Sequence, residues 1–293
     1  LKLFEKATYI LKLLLSRLKK FFRQPYEPDF LLIGAQKSGS TSLHYYLNQH
    51  PNIQGSVPKE IHYFDRHIHF GKSVKWYEKH FQKSASDKVL NFEATPNYIF
   101  NPECPRLIHE HYPDIKLILI LRNPKARALS AYNMYRDFFE RKAFRLVKSK
   151  PKPGLENPIY AHLFKGRSTF PSIEEVFEFE KQALANGQIA EPAIFRRGLY
   201  VEQIERYLKY FKPEQLLILS FEDLIHDLSS SLNQVYKFLG VSNFPFEKLD
   251  TRVINKRDYK KNMDQSLLDQ LDEFYYEPNK RLYELVGRKF EWT

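Results

Sequence analysis

The stretch from Asp29 to Asp65, DFLLIGAQKSGSTSLHYYLNQHPNIQGSVPKEIHYFD, constrains this chain more than any other. Phe30 to Ile33 is a short apolar run with no polar interruption, the pattern of a strand buried on both faces of a parallel sheet. It ends at Gly34, and the chain then reads GAQKSGST to Thr41. Leu43, Tyr46 and Leu47 recur at helical spacing until His50 and Pro51 stop the helix. Strand, glycine loop and helix in this order aim backbone N–H groups and a helix N-terminus at one point, which suits a phosphate or another oxyanion. Lys37, Ser38, Ser40 and Thr41 add donors to the same loop.

The general pattern nearest to this loop is GxxxxGK[ST], which holds nucleoside triphosphates. Here Ser40 stands where that pattern needs lysine, and the lysine is inside the loop at position 37. A pocket for Mg²⁺ and a γ-phosphate is therefore poorly supported, and a P-loop kinase is the weaker reading. A few residues on, VPKEIHYFD offers a carboxylate, Glu60, and an imidazole, His62. In an extended segment two residues apart face the same way, with Phe64 next on that side.

GAQKSGSTSL followed by KEIHYFD resembles the sulfotransferases that use 3′-phosphoadenosine 5′-phosphosulfate (PAPS), in particular the heparan sulfate and carbohydrate branch. The likeness continues at LRNPKARALSAYNMY (121 to 135), GLYVEQIERYLKYF (198 to 211), LLILSFEDL (216 to 224) and FYYEPNKRLYELVGRKFEW (274 to 292). It implies that Lys37, Ser38, Gly39, Ser40 and Thr41 hold the 5′-phosphosulfate, that Glu60 is the general base, and that His62 orients it or the acceptor. It implies further that Arg122 and Ser130 hold the 3′-phosphate, and that Lys256 and Arg257 lie in the segment closing over the nucleoside, although the usual KGR-type signature is absent there. The product is then 3′,5′-ADP, and lysine and backbone donors make a metal unnecessary. In the 3-O-sulfating relatives a lysine follows the glutamate that matches Glu93; this chain has Ala94.

With 293 residues and 43% hydrophobic content the chain supports one large α/β domain, and 24 Phe and 19 Tyr argue against disorder. Apolar runs at 89–99, ending as a strand near Glu93, at KLILIL (116–121) and at LLILS (216–220) join the first as four parallel strands. Helical patterns lie at 125–136, 172–186, 198–211 and 228–239 between and after them. This alternation gives a doubly wound, three-layer fold with a central parallel sheet and a P-loop-like phosphosulfate loop. Arg122 falls at the carboxyl end of its strand, where open α/β sheets bind ligands.

The formal charge of +11 draws polyanions and anionic cofactors. No zinc-finger, homeodomain or RNP-type pattern accompanies it, so specific nucleic-acid recognition is not expected, and non-enzymatic binding of polyanions or membranes is the remaining rival. Six basic residues and no acid between 141 and 152 either coat the surface or attract an anionic acceptor. Residues 1–23 carry seven basic residues against Glu5 and read as an amphipathic helix. Such a helix either packs on the domain or lies on a membrane surface. The expected division is an N-terminal extension, 1–26, and one sulfotransferase domain, 27–293. A single cysteine, Cys104, fits a reducing compartment and hence a cytoplasmic protein, membrane-associated if 1–23 takes the second of those uses. The Golgi lumen is the alternative if an anchor preceded Leu1. The acceptor implied is a carbohydrate or other hydroxyl compound.

Overall fold

The computed structural model describes residues 25–81, 89–143, 162–187, 193–252 and 263–292. The 1–23 segment, most of the basic 141–152 run, and Lys256 and Arg257 lie outside them. Five parallel strands form the sheet: β1 (Phe30–Gly34), β2 (Ile53–Gly55), β3 (Leu90–Ala94), β4 (Lys116–Leu121) and β5 (Leu216–Ser220), in the order β2-β3-β1-β4-β5. The expected four strands are therefore one too few. Ile53–Gly55 is only three residues long, sits at the sheet edge and buries only Ile53, so it leaves no apolar run to read.

The helices used below are α1 (Ser40–Leu47), α2 (Val74–Glu78), α3 (Cys104–His111), α4 (Pro124–Glu140), α5 (Ile173–Ala185), α6 (Tyr200–Leu208), α7 (Phe221–His226), α8 (Leu228–Leu239) and α9 (Gln265–Val286). Their ends follow local chemistry. Asn123 accepts the N–H groups of Lys125 and Ala126 and so opens α4 at Pro124. Asp227 caps α8, and Gly240, at φ 79°, closes it in the left-handed conformation.

Side chains alternate across the central strands. Leu31, Ile33, Leu117, Leu119 and Leu121 pack on one face with residues of α3, α6 and α9. Phe30, Leu32, Ile118 and Ile120 pack on the other with Leu43 and Leu47 of α1 and Leu232 and Val235 of α8. Both faces are covered, which is why these strands read as unbroken apolar runs. A third cluster, with Tyr132 of α4, Phe177 of α5 and Leu271 of α9, extends the core beyond the sheet. Cys104 is buried in the cluster on the first face, among its aromatic side chains, and burial pushes its thiol well above the usual range. Among the described residues no helix is long and apolar enough to cross a membrane.

β1 pairs with β3 on one side and β4 on the other, so the chain reverses its direction of winding around β1. The crevice at the carboxyl ends of the strands beside such a switch is where ligands of this architecture bind.

Candidate active site

Four adjacent strand ends supply the site. β1 delivers the loop from Gly34 into α1, β4 delivers Arg122, β5 delivers Phe221, and β3 delivers Glu93 to Asn97. In the loop, Lys37 at φ 70° and Gly39 at φ 89° are both left-handed, a conformation that costs a non-glycine residue energy and turns successive N–H groups to one side. Glycine is required at 39 for a second reason: a Cβ there would stand 2.8 Å from Cδ2 of Phe221. Helix α1 begins right after it with no side-chain cap and no acid in its first turn. Its first N–H groups have no acceptor within the helix, so the positive end of its dipole faces the loop.

Arg122 lies against this cradle. Its guanidinium stacks 4.5 Å from the centroid of Phe221 and donates from Nη1 to the carbonyl of Lys37 at 3.1 Å. The hydroxyl of Tyr200 donates to the Arg122 carbonyl at 2.8 Å and lies beside the buried Ser38. Among the described residues Arg122 forms no ion pair, and burial holds its pKa below the usual arginine range. A partly buried cation in no direct ion pair, with Glu222 the nearby carboxylate, stands next to an uncapped helix start and fits a ligand with two phosphate groups. Ser130 is half-buried on the second turn of α4.

The second half of the site is built from side chains. Lys59 Nζ donates to Glu60 Oε1 at 2.9 Å and makes a long contact of 3.5 Å with Ser40 Oγ, joining the carboxylate to the loop. Glu60 Oε2 is 3.4 Å from His62 Nε2, and His62 Nδ1 is 2.9 Å from Asp65 Oδ2. Burial alone would raise the Glu60 carboxyl, but the hydrogen bond of His62 and the charge of Lys59 outweigh it and lower the pKa to about 2. Burial likewise opposes charge on His62, yet its bonds to Asp65 and Glu60 raise it to about 9.

The extended geometry expected for this segment is not what brings Glu60 and His62 together. His62 is left-handed, at φ 58°, which breaks the alternation. Phe64, expected beside them, is instead wholly buried against Tyr77 and Tyr98. The turn is held from behind by Glu93, buried at the end of β3, whose Oε1 accepts the N–H groups of Ile61 at 2.8 Å and His62 at 3.3 Å. Tyr77 and Tyr98 hydroxyls and Thr95 donate to the same carboxylate, yet burial still raises its pKa.

Lys59, Asp65, Glu93, Asn97, Tyr200 and Phe221 join the site without having been among the residues expected there. Lys59 and Asp65 stand inside KEIHYFD itself, and a count of charges around Glu60 finds them. The others meet the site only through the fold.

Comparison with known proteins fixes the class. The sulfotransferase domain family matches residues 27–257, and the chain belongs to that family. It is a sulfotransferase of the PAPS-dependent kind, and the kinase and purely polyanion-binding readings fall away. Over 90% of its length it is 27% identical to the membrane-associated sulfotransferase kil1 of Dictyostelium discoideum, of which it spans 66%. Over 90% it is 28% identical to heparan sulfate glucosamine 3-O-sulfotransferase 6 of Homo sapiens, of which it spans 73%. A sulfotransferase structure from Alicyclobacillus acidocaldarius is 25% identical, covers 90% of this chain and 98% of its own, and superposes with a TM-score of 0.66.

Proposed function

We propose that this sulfotransferase sulfates a hydroxyl of a carbohydrate or glycoconjugate, with Glu60 as general base. The observation that carries the reading is the placement of an ionised, partly exposed carboxylate beside the anion-ready loop, bridged to it by Lys59. PAPS supplies a sulfuryl group open to in-line attack by the acceptor oxygen and departs as 3′,5′-ADP. Glu60 takes the hydroxyl proton. With a pKa near 9, His62 already carries its proton at neutral pH and cannot take another, so its part is to orient Glu60. A carboxylate held near 2 is a weak base. Negative charge on the loop draws on Lys59 and raises Glu60 toward the range where a base is useful.

Lys37 neutralises charge that develops at the loop, and Ser38, Gly39, Ser40 and Thr41 give the phosphosulfate its hydrogen bonds. Arg122 and Ser130 take the 3′-phosphate, with Lys256 and Arg257 adding charge over the nucleoside. Those cations and backbone donors do the electrostatic work of a metal, so none is needed. The carbohydrate acceptor is supported by the likeness to heparan sulfate glucosamine 3-O-sulfotransferases. Ala94, where those relatives have a lysine, argues for a different position or sugar. The likeness to a membrane-associated sulfotransferase and the basic amphipathic 1–23 support peripheral membrane contact, and the single cysteine supports a reducing, cytoplasmic setting.

Incubation with sulfur-labelled PAPS and a panel of oligosaccharides, lipids and phenols, with and without EDTA, tests this. Label should enter an oligosaccharide, undiminished by EDTA. Labelling confined to phenols, or strict metal dependence, contradicts the reading.

A further inference from the structure

Behind the Glu60–His62 pair the hydrogen bonds continue to residues with no assigned role. Asn97 Nδ2 donates to Asp65 Oδ2 at 2.7 Å, and Arg197 Nη1 donates to Asn97 Oδ1 at 2.8 Å. Arg197 is almost wholly buried, lies 4.1 Å over the ring of Phe100, and its carbonyl accepts from Gln203 Nε2 at 3.1 Å. The chain thus runs Arg197, Asn97, Asp65, His62, Glu60, across three separate segments.

This chain has a direction. Arginine can only donate, so Asn97 must turn its oxygen to Arg197 and its amino group to Asp65. Asp65 Oδ2, a carboxylate oxygen that can only accept, takes one bond from Asn97 and a second from His62, whose Nδ1 therefore carries the hydrogen. With Nδ1 fixed as the donor, Nε2 is the nitrogen that faces Glu60 and exchanges its proton. The Asp65 side chain is wholly inaccessible, so water cannot substitute for a missing partner. Without Arg197 the Asn97 amide loses the donor that fixes its oxygen, its bond to Asp65 is held less firmly, and the imidazole's anchor loosens.

We propose that Arg197 and Asn97 are positioning residues, which fix the Asp65 carboxylate through a buried hydrogen-bond chain and so hold His62 Nε2 toward Glu60. The catalytic consequence rests on the reading of Glu60 as the base. The groups that bear on the pair are few. Glu60, Asp65 and Arg66 face His62 from its own segment, and Glu93 holds its backbone N–H from β3. Lys59 and, from α1, His44 face Glu60, and Tyr98, Cys104 of α3 and Tyr207 of α6 lie near Asp65.

Arg197→Met removes the donor while keeping bulk over Phe100, and Arg197→Lys keeps a charged donor. Nitrogen NMR of the histidine-labelled full chain, with His62 assigned through His62→Gln, reads the imidazole directly. In the wild type His62 should titrate at about 9 and, once neutral, keep its proton on Nδ1. In Arg197→Met the midpoint should fall by about one pH unit as Asp65 is held less firmly, and Arg197→Lys should recover most of the loss. The alkaline limb of the turnover profile should move down with the NMR midpoint, while KM for the donor changes less than about twofold. Asn97→Ala breaks the same chain one link nearer and must give the same shifts, which keeps the test open if Arg197→Met does not fold. An unmoved His62 titration in a folded variant overturns the proposal. A moved titration with an unmoved rate profile overturns instead the catalytic part of the proposal, that His62 held in this way orients Glu60, and leaves the base role of Glu60 to the Glu60→Gln test.

Discussion

The two halves of the site are made of different material. The donor side, Gly34 to Thr41 with Arg122, is mainly backbone: left-handed turns at Lys37 and Gly39, an uncapped helix start, and one guanidinium resting on Phe221. The acceptor side is a chain of ionisable side chains, Lys59, Glu60, His62 and Asp65, whose members set one another's charge. A backbone cradle binds whatever anion fits and changes little with pH. A side-chain relay does proton work and is sensitive to each partner. Damage to the second half should therefore cost rate without donor affinity, and damage to the first should cost donor affinity.

The largest effect expected from breaking this division is on turnover. Glu60→Gln keeps the shape of the side chain and removes the proton acceptor, so turnover should fall by about 10² to 10⁴, with 3′,5′-ADP affinity unchanged. Near-normal turnover in the folded variant would remove Glu60 from the base role.

The contrast also explains what could be read from sequence. A backbone cradle follows from local pattern, so the apolar runs and glycine spacing set the loop and Arg122 each at the carboxyl end of a strand; that the two strands adjoin comes from the sheet order. The relay was half legible. Glu60 and His62 stand two apart in one motif, but their meeting depends on a left-handed turn at His62, which no periodicity signals. Glu93, which holds that turn, read only as the end of a buried strand. Asn97 and Arg197 are a hundred residues apart and were out of reach, because only the packing of α6 and its preceding turn against the end of β3 joins them. Likewise the edge strand Ile53–Gly55 has too little apolar sequence to announce itself.

A smaller effect sharpens the comparison through stability. The folded pKa of His62, about 9, lies above the ordinary 6.5. Its contribution is therefore fully present below about pH 6.5 and is lost as pH rises through about 9. The Tm difference between wild type and His62→Gln should be greatest near pH 6 and shrink by roughly 2–6 °C by about pH 10. A difference that stays flat or grows with pH would mean that His62 is not held protonated by Asp65 and Glu60.

The central claim, that one half of the site reads a nucleotide bearing a 3′-phosphate while the other removes a proton, is tested most directly by calorimetry. Titrate 3′,5′-ADP and 5′-AMP into wild type, Arg122→Ala and Glu60→Gln. Hydrogen bonds to a charged phosphate contribute about 1.5 to 3 kcal/mol each. Arg122 and Ser130 together should then favour 3′,5′-ADP by roughly 10² to 10⁴. Arg122→Ala should collapse that preference with little change for 5′-AMP, and Glu60→Gln should leave it intact. Equal binding of the two nucleotides by wild type, or loss of the preference in Glu60→Gln, would contradict the account.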